Sequence, residues 1–269
     1  MVIFHFMSYA AISTFTVGCL LTVFVVVTLL DDRLRRLFLF PVWVTTFLAI
    51  ANWTWAHQWG VGLSTALMGN ILATQIAFGL ILIFFRETIR LAIFLGPYLL
   101  MIFLLFVWSS LSVSEIPFEK WGSTWLVLHI TSSILAYGLV TVGAIAGLAT
   151  ILRDRALKKR IRSRFLEQLP SVSSTSKIEL LGLWSAEAVL GLGILFGMVA
   201  EFISTGHYFE LSHKALFSIL AFILIGVLLF LHLKSGLKGK FAARLCLTAY
   251  LLVSLGYLGV KFVNDILVA

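Results

Sequence analysis

Residues 124–152 read TWLVLHITSSILAYGLVTVGAIAGLATIL, a run without one charged side chain. About 20 consecutive apolar residues carry a helix across a bilayer core, so this stretch is long enough to span. Its apolar positions are continuous rather than alternating, which selects helix over strand. Backbone groups inside lipid must be satisfied within the segment or a closed barrel, and helix is the solution that fits. Similar runs recur at roughly 8–30, 37–56, 63–85, 91–110, 177–203, 212–233 and 242–264. With 61% hydrophobic residues and a mean hydropathy of +1.06 over 269 residues, the sequence predicts an all-α polytopic membrane bundle. It has eight transmembrane helices in a single transmembrane domain, 1–269. Eight spans consume most of the length and leave no room for a soluble domain.

The connecting loops differ in basic charge. The first carries Arg33, Arg35 and Arg36, and the third Arg86 and Arg90. The fifth holds Arg153, Arg155, Lys158, Lys159, Arg160, Arg162 and Arg164; the seventh has Lys234, Lys238, Lys240 and Arg244. Even-numbered loops are nearly free of basic residues apart from Lys120. By the positive-inside rule the odd loops are cytoplasmic and both termini extracytoplasmic, which suits a bacterial inner (plasma) membrane. The net charge of +8 is therefore read as a topology signal and not as a nucleic-acid footprint. No basic n-region or small-residue cleavage pattern marks the first apolar run, so it is expected to remain as a span.

In the fifth loop Leu157, Ile161, Phe165 and Leu169 recur every fourth residue between basic positions. This pattern predicts an amphipathic helix over about 153–169, lying along the inner leaflet against anionic headgroups; the alternative is a solvated basic loop that serves only topology. Pro170 ends it, and Ser176-x-x-Glu179 reads as a capping box opening the sixth span. Trp53, Trp55 and Trp59 cluster at one edge, and Glu115, Pro117, Glu119 and Trp121 mark the loop before span five. The tryptophans read as interfacial anchors, with stacking on a flat ligand as the alternative.

Cys19 and Cys246 both lie inside spans, without a Cys-x-x-Cys pair. That disfavours thiol redox or zinc chemistry and excludes a c-type cytochrome. No serine or cysteine sits in an elbow or dyad context. On the charge-derived topology, His5, His57, His129, His207 and His213 face outward and His232 lies at the cytoplasmic end of span seven. His213 and His232 are separated by about 28 Å of helix and cannot share one small ligand. His129 and His213 stand at the outer mouths of spans five and seven. Two imidazoles from different helices form a suitable axial pair for haem iron, with Lys214 and Lys261 near enough in depth to neutralise propionates. For each histidine the alternative is a helix-end residue bonded to backbone or water. Glu187 is an intramembrane carboxylate, costing on the order of 3 kcal/mol on insertion scales, and is expected to face the bundle interior. Asn52, Asn70 and Gln75 are the polar residues at comparable depth, with no second mid-span acid.

From Trp125 onward the chain resembles the haem-handling membrane proteins of cytochrome c assembly, in the CcsA-like branch that includes HemX and YpjD proteins. The residues that carry the resemblance are Leu128-His129-Ile130 with Ala136-Tyr137, Arg153-Asp154-Arg155 and Phe165-Leu166-Glu167-Gln168-Leu169-Pro170. They continue with His213-Lys214-Ala215-Leu216-Phe217-Ser218, His232, and Tyr257-Leu258-Gly259-Val260-Lys261-Phe262. The resemblance implies external haem binding at His129 and an intramembrane position near the cytoplasmic side for His232. It places His213 where HemX- and YpjD-like members often carry histidine followed by lysine. The tryptophan-rich signature of CcsA proteins has no counterpart, because residues 203–210 read ISTGHYFE. The histidine that ends their last span is also missing. This departure points to the HemX/YpjD side and to a binding and delivery protein rather than an enzyme. The expected cofactor is haem b; the expected partners are membrane lipid, haem, and either cytochrome c assembly proteins or a cytosolic protein at the basic helix. Two other readings remain at this point. One is a small-solute or ion transporter that uses Glu187; the other is a regulatory scaffold that docks a cytosolic partner on residues 153–169.

Overall fold

The computed structural model describes residues 2–29, 32–56, 62–112, 124–161, 163–207, 213–236 and 239–263; within these, the side chains of 2–11, 32, 35–36, 53–56, 111–112, 164 and 214 lie outside the description. Among the described residues the chain is all helix, without strands. The long helices are α1 (Val2–Thr28), α2 (Asp32–Ala56), α3 (Leu63–Phe84), α4 (Ala92–Ser112), α5 (Thr124–Lys158), α7 (Val172–Thr205), α8 (His213–Ser235) and α9 (Lys240–Ser254). A short α6 (Arg164–Gln168) follows α5, a 3-10 turn (Arg86–Leu91) precedes α4, and a π turn (Leu255–Gly259) joins α9 to α10 (Val260–Phe262). Six helical segments among the described residues have the length and hydropathy to cross a membrane, starting at Leu63, Arg86, Thr124, Val172, Ala215 and Lys240. The fully described apolar parts of α1 and α2, Ile12–Thr28 and Leu37–Asn52, are shorter.

The helices pack as two compact units. One comprises Met1–Leu72 and Ala92–Phe118, the other Ala73–Leu91 and Glu119–Ala269. In the first, α1 packs on α2 and α4. Gly18 lets α1 approach Phe103, whose ring would lie 2.8 Å from a Cβ there, and the Asn70 amide donates to the Tyr98 hydroxyl at 3.0 Å.

The second unit is organised around α5, which is buried along most of its length. Small residues make this possible, because van der Waals contact between backbones is the main attraction open to helices in lipid. A Cβ at Gly182 of α7 would lie 3.3 Å from Gly143 of α5, and one at Gly147 would lie 3.4 Å from Ala243 of α9. At Gly138 the approach is closer still: a Cβ would meet the Ala73 carbonyl oxygen at 2.5 Å. α8 completes the unit by packing on α7, α9 and the π turn.

Two local expectations are corrected. The basic stretch 153–169 is not one helix. α5 continues to Lys158 and then stops at Arg160, which adopts a left-handed φ of 53°. There Ile161 N–H donates to the Ala156 carbonyl and Arg160 N–H to that of Leu157, the paired bonds of a Schellman stop. The Arg153 guanidinium then holds α6 by donating to the Leu166 carbonyl. Leu157, Ile161 and Phe165 are exposed, whereas Leu169 is buried. Nor does α7 begin at Ser176. Its N-cap is Ser171, directly after Pro170, with the Ser171 hydroxyl accepting from Ser174 N–H at 3.2 Å. Ser176 and Glu179 therefore lie inside the helix, and Glu179 is buried rather than capping.

Candidate functional site

His129 occupies the second turn of α5 and turns its ring toward α7. Its Nδ1 lies 2.7 Å from the Gly193 carbonyl oxygen. A carbonyl can only accept, so Nδ1 carries a proton, and in the neutral ring it is Nε2 that keeps its lone pair. The ring fits because α7 presents glycine where it arrives. A Cβ at Gly197 would lie 2.8 Å from Nδ1, and one at Gly193 would lie 3.0 Å from the Ser132 hydroxyl. Trp125 and Phe196 pair beside it, with ring centroids 6.0 Å apart.

The register of the helices places the other candidates. α5 and α7 run antiparallel, with Thr150 bonded to Thr175 at 2.8 Å toward one end and His129 against Gly193 toward the other. α5 and α9 are antiparallel as well: Ala243 faces Gly147, and Ser254 meets the Tyr137 hydroxyl at 3.1 Å. Followed past Tyr137, α5 reaches His129 while α9 passes through the π turn to Lys261, which is half-buried in α10. On α8, Gly226 abuts Glu187 and Phe222 abuts Gly191, so continuing toward its first turn brings His213 to this same end. His213 is exposed there; Lys214 follows it in α8, its side chain outside the described set. Among the described residues no hydrogen bond joins His129 to His213. His232 stands at the opposite end, near the start of α7.

Two turns past His129 on α5, an aromatic cluster joins α5 to α9 and the π turn. The Tyr137 side chain is fully buried and packs on Tyr250 and Tyr257, with centroids at 6.0 and 5.9 Å. Tyr257 belongs to the π turn, a distortion that often marks functional positions. Glu187 is half-buried against Gly226, and its Oε2 has no hydrogen-bond partner. His207 is exposed just past the Gly206 stop of α7; His57, Trp59 and the loop 113–123 lie outside the described residues.

Sequence reasoning missed Glu179. It is 3% exposed, and its Oε1 also lacks a partner. Its placement after Ser176 imitates a capping box, and this masked a second acid within the helix. Among the described residues no three His, Cys, Asp or Glu side chains converge to hold a bare metal ion. A metal held here would have to bring most of its own ligands.

The fold thus defines a polytopic helical membrane protein with a tautomer-fixed imidazole at one end of its second unit. Residues 34–268 match the family of cytochrome c assembly proteins, and the chain belongs to that family. An uncharacterized 28.8 kDa protein from a nifR3-like 5′ region of Azospirillum brasilense is 38% identical over 212 residues, 79% of this chain and 78% of that protein. The cytochrome c biogenesis protein CcsA of Chlamydomonas reinhardtii is 24% identical over 145 residues, covering 53% of this chain and 39% of the relative. Protein HemX of Bacillus subtilis is 24% identical over 132 residues, 49% of this chain and 48% of HemX. The aligned region therefore spans half or less of these last two proteins. The resemblance to CcsA and HemX proteins expected from the sequence stands.

Proposed function

We propose that this protein binds haem in a bacterial inner membrane and hands it on in cytochrome c assembly, acting as a binding and delivery protein rather than an enzyme. The observation that carries the reading is the His129 Nδ1 to Gly193 carbonyl contact at 2.7 Å. Histidines that ligate metals commonly donate their other ring N–H to a carbonyl or carboxylate, which fixes tautomer and orientation. Here the arrangement leaves Nε2 as the free donor atom. Membership of the cytochrome c assembly family and relatives named CcsA and HemX supply the chemical context.

His129 and His213 are the axial candidates, Lys261 and Lys214 the partners for propionates, and His232 a separate position at the far end. Haem, when bound, would supply an iron that takes neutral imidazole nitrogens as ligands. The glycines of α7 leave the imidazole room to be held. In this reading α1 and α2 join the other six helices as spans, and the four basic loops put both termini outside.

Protein purified from haem-replete cells should show a low-spin bis-histidine absorption spectrum, lost in His129→Ala. A colourless preparation that also fails to take up added haem overturns the proposal.

A further inference from the structure

The end of the second unit opposite His129 holds a half-open cavity of about 20 Å³. Ser176, Glu179 and Leu183 of α7, Leu228 and His232 of α8, and Ala242 of α9 line it. A buried water needs roughly 10–15 Å³ of such space and two to four polar partners. The cavity therefore has room for one water, and neither a porphyrin nor a hydrated ion fits. Its polar wall consists of a hydroxyl, a carboxyl and an imidazole. Glu179 is 3% exposed, and its Oε1 makes no hydrogen bond within the protein. Buried acceptors in folded proteins almost always find a partner, protein or ordered water.

We infer that this cavity is a site for a single bound water that joins the Glu179 carboxyl to the His232 imidazole, making Glu179 the positioning residue of that ring. Ser176 supplies the third partner from one turn earlier on α7. Of the nearby hydroxyls, Thr150 donates to Thr175, and Thr175 is bonded to the Ser171 and Val172 carbonyls; the buried Cys246 thiol is another polar neighbour of Glu179. The inference stands apart from haem binding at His129, since it involves the other end of the bundle and other residues.

Full-length protein labelled with 15N-histidine and held in lipid nanodiscs tests it, with His232 assigned by the signal lost in His232→Gln. In the wild type, magnetisation should pass from water to the His232 ring. Glu179→Gln should shift the His232 ring nitrogens and alter their tautomer balance. Ala242→Val, which fills the cavity and leaves both polar partners in place, should abolish the water transfer. The His129 signals and the unfolding temperature should stay unchanged in Ala242→Val. Absence of water transfer in the wild type, or His232 signals indifferent to both substitutions, overturns the inference. Should Glu179→Gln fail to fold, the wild type and Ala242→Val still decide it.

Discussion

Replacing Gly197 with alanine places a methyl where the His129 ring now sits. The new Cβ would lie 2.8 Å from Nδ1 and 2.9 Å from Cε1, against an ordinary contact distance of about 3.5 Å. The ring must then withdraw by about 0.7 Å. With the ring displaced along the bond, the 2.7 Å contact to the Gly193 carbonyl would stretch to about 3.4 Å, beyond good hydrogen-bond geometry. Losing such a bond costs about 0.5–1.5 kcal/mol, and more if the ring N–H finds no other acceptor. Loss of an orienting partner typically weakens metal binding by about 10–100-fold. The helix itself gains up to roughly 1 kcal/mol from glycine to alanine, so stability and ligand affinity should move apart. Thermal unfolding should be nearly unchanged while haem affinity, read from the Soret band in a titration, falls by about 10–100-fold. Gly191→Ala is the control. It lies on the same helix, and its Cβ would meet only the mobile edge of Phe222 at 3.0 Å. If Gly197→Ala binds haem as tightly as the wild type with an unchanged His129 tautomer, the reasoning fails.

Gly138→Ala should be far more damaging, because the Cβ would meet the Ala73 carbonyl at 2.5 Å and the Thr74 amide nitrogen at 2.9 Å. Backbone cannot swing aside, so a loss of about 3 kcal/mol or more should appear as poor folded yield and early unfolding in detergent. Arg160→Gly should act in the opposite direction. The left-handed φ of 53° costs a non-glycine residue about 1 kcal/mol, so the variant should unfold later by a few degrees; no gain, or a loss, refutes the assigned stop.

Much of the helical framework was legible because lipid imposes one rule on every span, continuous apolar length, and composition displays it directly. The segment beginning at Thr124 illustrates this: the uncharged run to Leu152 and the helix α5 share their start. The end of α5 was less legible. Arg155 and Lys158 belong to its last turn, where basic residues suit the helix dipole, and the periodic apolar positions continue past a stop made by an arginine instead of the usual glycine. The start of α7 misled for a related reason, since Ser171 and Ser176 are both plausible caps and only the first follows directly on Pro170. Within the site, His129 announced itself as a lone imidazole in an apolar run. Its partner could not, because the Gly193 carbonyl is backbone and the glycine spacing that admits the ring resembles ordinary close packing. The π turn at Leu255–Gly259 likewise leaves the hydropathy of the last span unaltered.

The central position of α5 has a consequence for how the protein is made. Its Gly143 and Gly147 grooves are filled by α7 and α9, which a ribosome synthesises later. At about 5–20 residues per second, several seconds pass after α5 emerges before its partners exist. During that interval the bare grooves face lipid or an insertion factor, and two nascent chains could pair through them by mistake. Ribosomal pausing between Lys158 and Val172 would lengthen that exposure, whereas rapid translation of α7 would close the larger groove first.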